Sequence, residues 1–125
     1  MPAPKDPMSG LFGLGVDLVE VSRVRRLAAR SPSFLNRFFT PGELAYCRKS
    51  RNIYERLAAR FAVKEAVIKA LDARNLALKD IEVENTASGR PLVKVKGLPS
   101  LALMVSISHT SRHALAAVVA FKKRT

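Results

Sequence analysis

With 125 residues, 48% of them hydrophobic, the chain is sized for one domain with a real core and is too apolar for general disorder. Its 22 lysines and arginines against 10 acidic residues leave a formal charge of +12, which calls for a polyanionic partner: nucleic acid, an acidic protein, a phosphorylated ligand or an anionic membrane surface. A single cysteine, Cys47, excludes an intrachain disulfide and a thiolate metal cluster, and the longest apolar run, Ala114 to Phe121, is too short to span a bilayer; both fit a cytoplasmic protein.

Met1 to Gly10 carries three prolines and no apolar core, so it reads as a flexible tail rather than a signal peptide, with one domain over residues 11–125. Leu11 to Val21 alternates like a strand. Phe12, Leu14, Val16 and Leu18 share one face, and Gly13, Gly15, Asp17 and Val19 the other. The two glycines leave that second face bare, which permits close approach of a ligand or of another backbone. A helix starts near Ser22, with Val24, Leu27 and Ala28 inward and Arg23, Arg26 and Arg30 outward, and Ser31 to Ser33 breaks it.

Phe34 to Phe39 is a short aromatic-rich turn or helix. Thr40, Pro41 and Glu43 then form a capping box with proline at the first helical position, opening a helix to about Lys49. A longer helix follows from Ile53 to Asp72, its apolar residues at Ile53, Leu57, Phe61, Ile68 and Leu71. Ile81 to Asn85 and Pro91 to Lys96 flank Ser88-Gly89-Arg90 as a hairpin does. Pro99 to Leu103 reads as a helical turn. Met104 to His109 and Ala114 to Phe121 make a second strand pair that turns at Thr110 to Arg112. The fold class is α+β, an antiparallel sheet packed with a long central helix.

Two carboxylates stand out. Glu65 interrupts the apolar row of the long helix, where burial is costly unless a cation or hydrogen bonds hold it. Asp17 is the first polar group on the glycine face. From the pattern alone, Glu65 forms either a surface salt bridge with Lys69 at i,i+4 or half of a site shared with Asp17. Two carboxylates on one cleft repel unless a hard divalent cation lies between them, and Mg²⁺ suits two acidic ligands because phosphate oxygens and water complete its shell. His109, at a strand end beside Ser106 and Ser108, either binds phosphate or bonds its own loop. The arginines from Arg23 to Arg30, around Leu27, make a face for a phosphate backbone or an acidic helix. The lack of tryptophan and of free aromatic platforms favours the acidic protein.

Together these segments resemble the holo-acyl-carrier-protein synthases, the small class of 4′-phosphopantetheinyl transferases. Gly13 to Glu20 is similar to the family's first motif, Arg60 to Ala70 to its second, and Gly89-Arg90-Pro91 and Ser106 to His109 to its later signatures. The resemblance implies transfer of 4′-phosphopantetheine from coenzyme A to a serine of an acidic acyl carrier protein, with release of adenosine 3′,5′-bisphosphate. It implies Mg²⁺ on Asp17 and Glu65, with Glu65 or a metal-bound water taking the serine proton and Lys69 steadying or protonating the leaving group. It further implies coenzyme A contacts at Arg51, Arg60, Lys64, Gly89, Arg90, Pro91 and His109, carrier-protein contacts at Arg23, Leu27 and Arg30, and a homotrimer with sites between subunits. Nucleic acid and membrane are not expected partners under this reading. Where relatives have a glycine-rich loop, this chain has Asp72-Ala73-Arg74-Asn75. The alternative is a small basic nucleic-acid-binding protein without enzymatic activity, which accounts for the charge but not for Asp17 and Glu65.

Overall fold

A computed structural model describes residues 11–31 and 33–122; the tail expected over Met1 to Gly10 lies outside the described residues. In chain order the elements are β1 (Leu11–Glu20), α1 (Val21–Arg30), a 3₁₀ turn (Phe34–Arg37), α2 (Pro41–Arg48) and α3 (Ile53–Leu71). A second 3₁₀ turn (Leu78–Asp80), β2 (Ile81–Asn85), β3 (Pro91–Val95), β4 (Leu101–His109) and β5 (His113–Lys122) follow. The strands form an antiparallel three-stranded sheet ordered β1-β5-β4 and a separate β2-β3 hairpin. β5 is central: Asp17 faces Ala116 on one side of it, and Ile107 faces Ala116 on the other.

α3 lies across the inner face of the larger sheet and is buried on nearly every side, from Leu57 through Lys64 without a break. Small residues make this possible. Ala114, Ala116, Val118 and Ala120 of β5 are fully buried beneath it. On β1 the approach is closer still, because a Cβ on Gly13 would stand 1.8 Å from the Ala70 carbonyl oxygen and one on Gly15 would stand 1.9 Å from that of Ala66. The bare glycine face therefore receives another backbone, that of α3.

The opposite row of β1 is apolar but not covered: Leu14 is 67% exposed and Leu18 62%, and Met104 of β4 and Leu115 of β5 are exposed on the same sheet. The capping box is present as expected, with the Glu43 backbone N–H donating to Thr40 Oγ1 and the Thr40 N–H to Glu43 Oε1. One element differs. The helical turn expected over Pro99 to Leu103 gives way to strand from Leu101 onward, because β5 extends far enough for Leu101 to pair with Lys122 and Ala102 with Phe121. Ladder partners outweigh a local turn preference.

Candidate active site

The contact between β1 and α3 that the glycines allow brings Asp17 near Lys69 and Glu65. Between the two glycine contacts on α3, at Ala66 and Ala70, Lys69 reaches back over β1. Its Nζ donates to the Val16 carbonyl and to Asp17 Oδ1, both at 3.0 Å. Glu65, one turn earlier on the same helix, is half-buried, and its carboxyl is pushed above the ordinary range. Desolvation is the first cause and the Asp17 charge the second, while Arg23 and Lys69 pull it back. Among the described residues Glu65 has no salt bridge; Lys69 pairs with Asp17 instead. The i,i+4 salt bridge with Glu65 does not form; Asp17, Glu65 and Lys69 instead make one charged cluster, with Arg23 of α1 beside them over the Phe61 ring.

Lys64, expected at coenzyme A, points the other way. It is fully buried, and Nζ is held by Glu43 Oε1 at 2.6 Å, the Ile81 carbonyl at 2.6 Å and the Leu78 carbonyl at 3.1 Å. Three acceptors use all three protons of an ammonium, so none is left for a phosphate. Burial pushes its pKa down and the Glu43 charge pushes it up. Glu43 is equally committed: Oε1 also accepts from the Thr40 N–H, and Oε2 accepts from the Val83 N–H. Lys64 is a structural residue that ties α3 to the α2 cap and the β2 strand.

A second locus brings together most of the remaining residues expected at coenzyme A. A cleft of 370 Å³ between α3, the β2–β3 hairpin and the end of β4 is lined by Arg60, Gly89, Pro91 and His109, with Arg56, Asn85 and Ser106 added. Arg60 is 5% exposed, lies 4.7 Å above the Tyr46 ring and donates through Nη2 to Asn85 Oδ1, while its Nε has no partner among the described residues. Gly89 takes φ 86°, the left-handed turn that only glycine adopts without strain. Arg51, in the turn before α3, and Arg90, in the hairpin, are exposed and do not line the cleft. Arg56 and Asn85 were not expected. Arg56 sits one turn before Arg60 on α3, a spacing that could have flagged it, whereas Asn85 is brought in only by the hairpin.

On α1, Val21 and Val24 are buried and Arg23, Arg25, Arg26 and Arg30 exposed, as the pattern predicts. Leu27 is half-buried and packs on the core edge. The arginines are steadied on rings, Arg25 over Tyr54 at 5.1 Å and Arg30 over Phe34 at 5.5 Å. Asp72, in place of a glycine-rich loop, caps α3 in the left-handed conformation at φ 51°.

The profile of the 4′-phosphopantetheinyl transferase superfamily matches residues 13–119. A holo-[acyl-carrier-protein] synthase of Thermodesulfovibrio yellowstonii is 47% identical over 109 residues, covering 86% of this chain and 96% of the relative. One of Clostridium tetani is 37% identical over 116 residues, covering 85% and 92%. Among solved structures, a Bacillus anthracis holo-(acyl-carrier-protein) synthase in complex with CoA (3′,5′-ADP) aligns with a TM-score of 0.80 at 29% identity, over 90% of this chain and 98% of that one. The Helicobacter pylori enzyme in complex with coenzyme A gives 0.76 at 30% identity, over 86% and 98%.

Proposed function

The chain belongs to the 4′-phosphopantetheinyl transferase superfamily, and from that premise we propose how its own residues carry out the reaction. It is a holo-[acyl-carrier-protein] synthase in activity, moving 4′-phosphopantetheine from coenzyme A to a serine of apo-acyl carrier protein and releasing adenosine 3′,5′-bisphosphate. The observation that carries the residue assignment is the convergence of Asp17, Glu65 and Lys69 where α3 meets the glycine face of β1.

The donor set fits a magnesium ion. Asp17 and Glu65 are close enough for the charge on one to raise the other, and the repulsion is offset in this chain by an ammonium and a guanidinium, the work a divalent cation does. Two carboxylates leave room for substrate phosphate oxygens in an octahedral shell. When bound, Mg²⁺ would neutralise charge on the pyrophosphate during transfer. Glu65, with its carboxyl raised by burial, is matched to accept the proton of the carrier serine. Lys69 carries an ammonium at the same place, free to turn from Asp17 to the leaving phosphate.

The cleft around Arg60 and His109 takes the phosphates of coenzyme A, with Gly89 and Pro91 as its rim. Arg23, Leu27 and Arg30 of α1 dock the acidic carrier helix, a role supported by arginines with no carboxylate partner among the described residues. Neither Asp17 nor Glu65 lines the cleft. This separation supports a homotrimer in which the carboxylate pair of one subunit works against the basic cleft of its neighbour, and the uncovered apolar face of the β1-β5-β4 sheet supplies the contact. Substrates of this kind, with a buried free thiol at Cys47, support a cytoplasmic location. The test is mass spectrometry of apo-acyl carrier protein incubated with coenzyme A, Mg²⁺ and this protein. The expected result is a gain of one phosphopantetheine on the carrier serine; an unchanged carrier mass would overturn the reading.

A further inference from the structure

We propose that Glu55 is a positioning residue for His109, setting the imidazole that meets coenzyme A; the proposal rests on reading the cleft as the phosphate site. Glu55 lies in the first turn of α3, with its side chain 17% exposed, and its Oε1 stands 3.9 Å from Nδ1 of His109. His109 is the last residue of β4 and its ring is half exposed, so the strand fixes its backbone but not its ring. Glu55 is its only ion-pair partner among the described residues, and Glu55 in turn pairs with no other cation there. The neighbouring Arg56 is occupied elsewhere, its Nε donating to Ser50 Oγ at 2.7 Å.

The placement decides the role. His109, Arg56 and Arg60 line the cleft; Glu55 does not. A carboxylate inside a phosphate cleft would repel the ligand, but one behind the imidazole draws Nδ1–H toward itself and turns the protonated ring's Nε2–H to donate to a phosphate oxygen. The ring then no longer has to be ordered when the ligand arrives, which lowers the cost of binding. Glu55 acts on binding, not on the transfer step.

A double-mutant cycle with Glu55→Gln and His109→Ala tests this, reading coenzyme A dissociation constants by calorimetry, kcat with apo-acyl carrier protein, and Tm. An exposed-to-half-buried pair of this kind predicts a weakening of coenzyme A binding by Glu55→Gln of about threefold to fivefold, with kcat held within about twofold. In the His109→Ala background the same substitution is expected to cost nothing further, because its object is gone. An equal penalty in both backgrounds, or none in the parent, would overturn the proposal by showing that Glu55 acts on the helix alone. If Glu55→Gln lowers Tm, Glu55→Asp keeps a charge in the first turn but withdraws it from the imidazole. It must then weaken coenzyme A comparably, and full affinity in that variant would also refute the role. Unchanged affinity in His109→Ala alone would instead bring down the assignment of the cleft, a result distinct from failure at Glu55.

Discussion

Replacing Lys64 by methionine separates two accounts of this residue, as a ligand of coenzyme A and as a buried strut. In the parent chain the ammonium satisfies Glu43 and the carbonyls of Leu78 and Ile81, with both side chains of the ion pair essentially unexposed. Lys64→Met leaves the Glu43 carboxylate buried with only the Thr40 and Val83 backbone N–H donors, and removing one partner of such a pair costs about 3–5 kcal/mol. With an m-value of about 1.5 kcal/mol/M for a domain of this size, the urea midpoint should fall by about 2–3 M. Circular dichroism during urea unfolding reads this directly, and calorimetry with coenzyme A on the folded fraction reads the other account. A double variant that also carries Glu43→Gln should recover part of the loss, because a neutral amide does not require the cation. A midpoint within about 0.5 M of the parent, together with about tenfold weaker coenzyme A binding, would refute the buried-strut reasoning and return Lys64 to the substrate.

Glu65→Gln should lower kcat by about 10²-fold or more, as loss of a proton acceptor does, with the carrier still bound. The carboxyl of Glu65 is raised in the folded chain, so the metal-free protein binds more protons than its unfolded form and loses stability as pH rises from the ordinary carboxylate range through the raised value. Thermal melts should show that slope in the parent and not in Glu65→Gln. Arg23→Glu should weaken carrier binding by about tenfold and flatten its salt dependence, while calorimetric affinity for coenzyme A stays as it was. Val16→Glu places a charge on the uncovered sheet face and should convert a trimer to a folded, inactive monomer in analytical ultracentrifugation; an active trimer would contradict the proposed interface. Gly15→Ala drives a methyl into the Ala66 carbonyl and should cost about 3 kcal/mol in chemical unfolding, since neither backbone can rotate away.

The elements that local chemistry specifies were legible in the chain. The capping box of Thr40 and Glu43 fixed the start of α2 because its two hydrogen bonds span only three residues. The alternation of β1 marked the glycine row as open to close approach, but not whether a ligand or the α3 backbone would fill it. Asp17 and Glu65 stood out as two carboxylates on faces meant for small or apolar side chains, although the choice of Asp17 over Glu65 as the partner of Lys69 did not. A lysine on a helix bonds to whatever the opposite strand presents, and sequence spacing does not encode that distance. Lys64 was misplaced for the same reason: its acceptors come from positions 43, 78 and 81, which meet only when α2, α3 and the β2 strand are assembled. The start of β4 was missed because Leu101 becomes strand through its pairing with Lys122, a contact no local window contains. Arg56, Asn85 and Glu55 escaped notice because each is an ordinary surface residue until the hairpin and strand end close around it.

The pairing of β1 with β5 has a consequence for how the molecule comes into being. Leu11 lies opposite Phe121 and Glu20 opposite His113, so the first described strand to leave the ribosome waits for the last. Until then the glycine seam has helix on one side and no ladder to hold it. A nonsense or frameshift change just before His113 removes no residue of the carboxylate site. It nevertheless abolishes that site, because the strand that carries Asp17 has nothing left to hydrogen-bond to.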